Sequence, residues 1–180
     1  YPGYDHDKNV KLYNNNSDSQ LPLVYISFPS AKDPSFMKKY PDYTTMEAIT
    51  ISKWQDYNRW KHLPWKNRGE EYEKQKVINT KKILEVVYKN VPQVKNNIDY
   101  HELSTPLTVK SLANYQHGEI YGLDHSPLRF HQRWLKPKSP IKNLYLTGQD
   151  IVTVGVTGAL FSGVLTSSSI LKKNLMKEIL

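Results

Sequence analysis

An α+β fold is expected from four stretches of this 180-residue chain. Leu23-Val-Tyr-Ile-Ser-Phe28 and Met46-Glu-Ala-Ile-Thr-Ile-Ser52 have the alternation and β-branched content of strands. Glu70 to Val91 repeats apolar residues at helical spacing. Asn143 to Thr147, then Gly148-Gln-Asp150 and a run of small residues, reads as a buried strand, a turn and a helix start. The expected architecture is an antiparallel sheet with helices, followed by a C-terminal strand–helix pair.

Each element has its own reason. The first strand stops at Pro29, and the connection to the second holds Pro29, Pro34 and Pro41 with Asp33 and Asp42. That composition predicts a long loop with fixed bends between antiparallel neighbours. Trp54, Tyr57, Trp60 and Trp65 follow among cations, with Pro64 breaking any longer helix. Two readings of this aromatic stretch stand: a wall for a large apolar ligand or bilayer surface, and a satellite core with snorkelling cations. In the helix, Glu70, Glu71 and Glu73 suit the positive end of the dipole, while Lys81, Lys82 and Lys89 lie further on. Val77, Leu84, Val87 and Val91 give one stripe, and Pro92 ends it. Ile98 to Leu103 is a further strand candidate. Thr105-Pro106 is an N-cap with Pro at the first helical position, opening a short helix that stops near Gly118. Ile120 to Asp124 and the Pro-rich stretch through Pro140 read as loop or edge strand.

The last helix carries Leu160, Val164, Leu171 and Leu175 on one stripe. Gly155, Ala159, Gly163 and Ser167 recur every four residues on another, beside Gly158, Ser162 and Thr166. A face without side chains admits another backbone or a flat ring. Ile151 to Leu171 carries no charge, which meets the length test for a membrane span. Its many hydroxyls, the absence of flanking aromatics and the abutting Asp150 favour a buried helix in a soluble core. Asp150 beside a bare helix N-terminus suits a ligand rich in hydroxyls and electron-poor oxygens.

The formal charge is +8, and 21 of the 25 basic residues are Lys, spread in ones and twos with few Arg. Nucleic acid is therefore not expected as a partner, because Arg is the usual reader of phosphate and base edges. Attraction to an anionic bilayer and a plain solvated surface both remain. The chain has no Cys, so it carries no disulfide framework and no thiolate chemistry. Tyr1-Pro-Gly-Tyr4 resembles the middle of a protein, with no leader segment at the start and no compartment indicated.

Four motifs bear a family resemblance: Phe28-Pro-Ser-Ala-Lys-Asp-Pro34, Ser104-Thr-Pro-Leu-Thr108, Gly118-Glu-Ile-Tyr-Gly-Leu-Asp-His125, and Leu144-Tyr-Leu-Thr-Gly-Gln-Asp150 with its Gly-rich helix start. Together they resemble the C-terminal part of FAD-dependent polyene oxidoreductases, the family of phytoene desaturases and carotenoid isomerases, and most of all its retinol saturase branch. The resemblance implies a substrate-binding domain over residues 1–135. It also implies that residues 140–180 supply the closing strand and helix of an FAD-binding, Rossmann-like domain. The N-terminal dinucleotide-binding half, with its Gly-x-Gly-x-x-Gly, is absent. It further implies that Asp150, after Gly148, contacts the ribityl hydroxyls. Gly155, Val156 and Thr157 would face the pyrimidine edge, and Gly158 and Ala159 would let the helix approach. Tyr121 and Gly122 would lie near the ring or the substrate channel. The substrate implied is an apolar, retinoid- or carotenoid-like polyene whose double bond is saturated, desaturated or isomerised, with NAD(P)H as a candidate electron donor. Alone, the chain is expected to bind FAD poorly and to be inactive; the alternative is a lipid- or membrane-binding module.

Such chemistry asks little of side chains, since the cofactor carries the hydride. No catalytic residue is singled out. His6, His62, His101, His117, His125 and His131 show no ligand spacing, although His125 and His131 share a loop and His125 is a candidate proton donor. No metal site is expected. Asp99 and Glu102 could form an acid pair, or face solvent along a strand.

Overall fold

A computed structural model describes residues 2–16 and 20–179. It is α+β, and its chain divides into two compact units, Tyr1–Gly118 and Glu119–Leu180. The functional division expected at 135–140 therefore falls inside the second unit.

The first unit opens with α1 (His6–Asn15), whose first turn is capped by the Asp5 carboxylate accepting from Lys8 N–H at 3.1 Å. The hairpin is shorter than the alternation suggests. β1 (Tyr25–Ser27) pairs antiparallel with β2 (Glu47–Ile49) in the register Tyr25↔Ile49, Ile26↔Ala48 and Ser27↔Glu47. The strands are neighbours, as expected, but their connection is no plain loop. It holds a 3₁₀ turn at Pro29–Lys32 and α2 (Pro34–Lys39). Asp33 is the reason: its carboxylate accepts from Ser35 N–H at 2.8 Å and Ser35 Oγ at 2.7 Å, with Pro34 at the first helical position. Those bonds to Ser35 hold the Asp33 carboxyl below its ordinary range.

The aromatic stretch resolves in favour of a core. Two 3₁₀ turns, Trp54–Asp56 and Asn58–Trp60, turn Tyr57 and Trp60 inward. They cluster with Tyr72 and Leu107, and Trp54 packs against the cluster half-buried. The Trp60 and Tyr72 rings meet edge-on at 5.5 Å, while the Arg59 guanidinium lies 3.9 Å from the Trp60 ring centre on the outside. Burial pushes the Tyr57 phenol above its ordinary range, and Asn79 donates to its oxygen at 2.7 Å. Trp65 stays outside the cluster and 46% exposed.

Helix α3 (Glu70–Asn90) matches its expected span and its expected stripe in part, with Val87 buried and Leu84 and Val91 half-buried. Val77 is 53% exposed, and the buried residues are Tyr72, Val86 and Val87. The face is set by Tyr72, which carries the largest apolar surface in the first turns and enters the aromatic cluster. Ile98 to Leu103 forms no strand; among the described residues the sheet consists of β1 and β2 alone.

Helix α4 (Pro106–Ala113) begins as expected at Thr105-Pro106 and ends at Asn114 in the left-handed region, before Gly118. Thr105 N–H donates to Thr108 Oγ1 at 3.1 Å, and the buried Thr105 hydroxyl shares a 2.7 Å hydrogen bond with Tyr72. Arg68, also buried, donates to Leu107 O at 3.1 Å and Ser111 Oγ at 2.7 Å. The start of α4 is thereby tied to α3. Thr105→Ala should cost about 1–2 kcal/mol, from the lost cap and the stranded Tyr72 hydroxyl. Urea unfolding followed by circular dichroism checks it; an unchanged midpoint would refute the coupling.

The second unit departs more from expectation. A short helix, α5 (Pro127–Phe130), occupies the stretch read as loop. Asn143 to Thr147 is not a buried strand: only the single bridge Lys138↔Tyr145 forms, and Leu144 is 46% exposed. A central strand exists through its neighbours on both sides, and among the described residues of this unit there is none to supply a ladder. Helix α6 (Gly155–Leu171) follows, then α7 (Met176–Ile179). Among the described residues no helix is long and apolar enough to cross a membrane.

Candidate functional site

The site grows from the way α6 is buried. Its inward face is the small, polar one: Gly158, Ser162 and Thr166. Ser162 Oγ accepts from Gly148 N–H at 2.7 Å and donates to Ala159 O at 2.6 Å; Thr166 Oγ1 donates to Leu146 O at 2.8 Å. Two hydroxyls therefore satisfy Gly148 N–H and Leu146 O, while Leu146 N–H donates to Pro137 O at 2.8 Å. The apolar stripe faces out, with Leu160 73% and Leu171 59% exposed. A hydrophobicity reading places these faces the other way round; hydrogen-bond demand from the unpaired segment wins.

Gly148 leaves the segment at φ +109°, a left-handed conformation suited to glycine, and a 3₁₀ turn at Gln149–Ile151 presents Asp150. The Asp150 carboxylate is fixed through Oδ1, which accepts from Leu123 N–H at 2.9 Å. Gly122 makes this possible. It has φ +69°, and a Cβ there would overlap the Asp150 carboxylate. Gly122 is therefore brought to Asp150, while Tyr121 stands 57% exposed.

The first turn of α6 has little cover. Val154 contributes no side-chain cap, Gly155 N–H donates to Gln149 Oε1 at 3.2 Å, and Val156 is 86% exposed. Thr157 and Ala159 are exposed as well. Gly158 is buried instead, its α-carbon against the Thr153 carbonyl where a Cβ would overlap. The arrangement offers one anchored carboxylate oxygen, one open one, and the N–H groups of a helix start: an acceptor for hydroxyls beside donors for a carbonyl or anion.

Sequence reasoning missed Arg129. It is buried, and its Nη2 donates to Gln149 O and Asp150 O, each at 2.9 Å. Its Nη1 donates to Leu123 O at 3.3 Å and lies against the His125 ring. His125 Nε2 accepts from Val154 N–H at 2.9 Å. An Arg in a Pro-rich stretch reads as surface, and Arg129 lies four residues beyond the end of the Gly118–His125 motif. His131 is exposed, and among the described residues no cluster could hold a metal ion. Asp99 and Glu102 are exposed, and Glu102 accepts from the Tyr100 hydroxyl at 3.0 Å.

Over nearly its whole length the chain is similar to proteins named as reductases. They are all-trans-retinol 13,14-reductases: that of Rattus norvegicus is 35% identical over 182 residues, covering 97% of this chain and 30% of the relative. That of Homo sapiens is 34% identical over 188 residues, covering 99% of this chain and 31% of the relative. A Danio rerio protein named inactive all-trans-retinol 13,14-reductase is 30% identical over 187 residues, covering 100% of this chain and 31% of the relative. These similarities match the retinol saturase branch, and the chain spans about 30% of the length of the curated relatives it matches. No family model and no solved structure matches it.

Proposed function

We propose that this chain is the C-terminal part of a flavin-dependent reductase acting on a carbon–carbon double bond of a retinoid- or carotenoid-like polyene. The observation that carries the reading is a carboxylate anchored through one oxygen beside the open first turn of a 17-residue helix. The similarity to retinol reductases supports the substrate class. Since one matching relative is named inactive, the site residues rather than the name must carry the activity.

The residues fit part of FAD. The free oxygen of Asp150 would accept from a ribityl hydroxyl, and the N–H groups of Val156 and Thr157 would donate to the pyrimidine carbonyl, favoured by the helix dipole. Gly155 leaves that approach clear, with nothing within 4 Å of where its Cβ would stand. Gly158 would serve indirectly, by letting α6 pack on Thr153. No Gly-x-Gly-x-x-Gly occurs in the sequence, so the adenosine and pyrophosphate would be held by a Rossmann-like half outside it. The outward apolar face of α6 supports the same view, as a surface for that half.

Saturation adds a hydride and a proton across a double bond, and reduced flavin supplies the hydride. What remains for these residues is binding, orientation and exclusion of water. NAD(P)H is the candidate source of electrons.

Asp150→Ala in the full-length protein should weaken FAD binding about 10- to 100-fold, the worth of a hydrogen bond to a charged group. Flavin content after desalting measures it; undiminished content would sink the assignment. The chain alone, incubated with FAD and desalted, should be colourless. A retained flavin band near one-to-one would mean that these residues suffice for a site.

A further inference from the structure

We infer that Arg129 is a positioning residue that sets the direction of the Asp150 carboxylate and the seat of the α6 N-terminus for a flavin; the inference rests on the flavin reading above.

The first ground is the cost of placing it there. A guanidinium only 7% exposed, with no carboxylate partner among the described residues, keeps its charge against an unfavourable desolvation. An apolar residue there would leave the carbonyls of Leu123, Gln149 and Asp150 without this donor, so the position asks for a long side chain with several donors.

The second ground is what the side chain holds. Leu123 is fixed at both ends, its carbonyl by Arg129 and its N–H by the Asp150 carboxylate. Asp150 is likewise fixed at both ends, its carboxylate by Leu123 and its carbonyl by Arg129. The three residues close a ring, so the carboxylate cannot swing without breaking its bond to the N–H of Leu123, whose carbonyl the buried cation holds. Arg129 also lies against His125, whose Nε2 takes the Val154 N–H at the residue preceding α6. One planar fork thus fixes the loop, the turn and the helix start together. A lysine, with its single point of charge, cannot reproduce that fork.

The test uses the flavin-loaded full-length protein carrying Arg129→Gln, Arg129→Lys, Asp150→Asn, and Arg129→Gln with Asp150→Asn. FAD affinity and the visible circular dichroism of the bound flavin are read, with far-ultraviolet circular dichroism of the same samples as the check on folding. Arg129→Gln is expected to weaken FAD about tenfold and to alter the flavin dichroism, with Arg129→Lys giving no rescue. Added to Asp150→Asn, Arg129→Gln should bring less than its full single loss, because part of its action passes through that carboxylate. Loss of flavin in Asp150→Asn with unchanged affinity and dichroism in Arg129→Gln would overturn the inference and leave the flavin reading standing. Unchanged flavin in all four would overturn the flavin reading and the inference with it. Fully additive losses would also overturn the inference. Where Arg129→Gln does not fold, Arg129→Lys decides: folded with unaltered flavin, it refutes positioning. Failure of both to fold refutes a role separable from structure.

Discussion

Trp60→Ala should destabilise the first unit by about 3–5 kcal/mol, the range for emptying a large aromatic from a packed core. Only a few large side chains in this unit are buried, and Trp60, 4% exposed, touches most of the aromatic ones. Its removal would leave Tyr72 without its edge-on partner and Tyr57 without its tilted neighbour at 6.3 Å. Since whole domains are stable by about 5–15 kcal/mol, the variant stands near the threshold of folding. Trp65→Ala is the matched control: a half-exposed ring outside the cluster should cost under about 1 kcal/mol. Urea unfolding of both chains decides the matter. Equal midpoints would mean that the aromatic cluster is not the core of this unit.

The second large effect is a reversal of sign between two glycines of the same helix. By helix propensity, alanine is better than glycine by about 1 kcal/mol at either position. At Gly163 nothing stands within 4 Å of the added Cβ, so Gly163→Ala should stabilise by about 0.5–1 kcal/mol. At Gly158 the Cβ would overlap the Thr153 carbonyl, and backbone on both sides cannot yield as a flexible side chain can. Gly158→Ala should therefore destabilise by about 1–3 kcal/mol despite the propensity gain. Thermal unfolding of the two variants gives the comparison, and shifts of the same sign would refute the close approach of α6 to Thr153.

The contrast also shows what the sequence made legible. Signals that are local chemistry survived: the register-forming alternation around Ile26 and Ala48, the acidic start of α3 and its stop before Pro92, and the Thr105-Pro106 opening of α4. Signals that depend on a neighbour did not. Asn143 to Thr147 has strand composition but lacks flanking strands, and Ile98 to Leu103 fails for the same reason. In α6 the small residues were noticed, yet the crowded row is Gly158, Ser162 and Thr166, and the row through Gly163 has room around it. Hydropathy alone cannot tell which face meets an unsatisfied backbone. Asp150 and Gly122 were both singled out, but their contact was not, because nothing in the sequence sets two loops 27 residues apart side by side. Arg129, the group that brings them together, carried no pattern of its own.

The bonds that shape the Asp150 turn share one further property: all close within residues 123–154. From Arg129 they reach 4 to 21 residues along the chain, and the longest, from Val154 to His125, closes 29. Closing loops of that size costs little entropy, and each doubling of length adds only about 0.6 kcal/mol. The turn can therefore take its shape within its own stretch of chain, without waiting for distant strands to pair, so that a partner surface would dock onto a turn already formed.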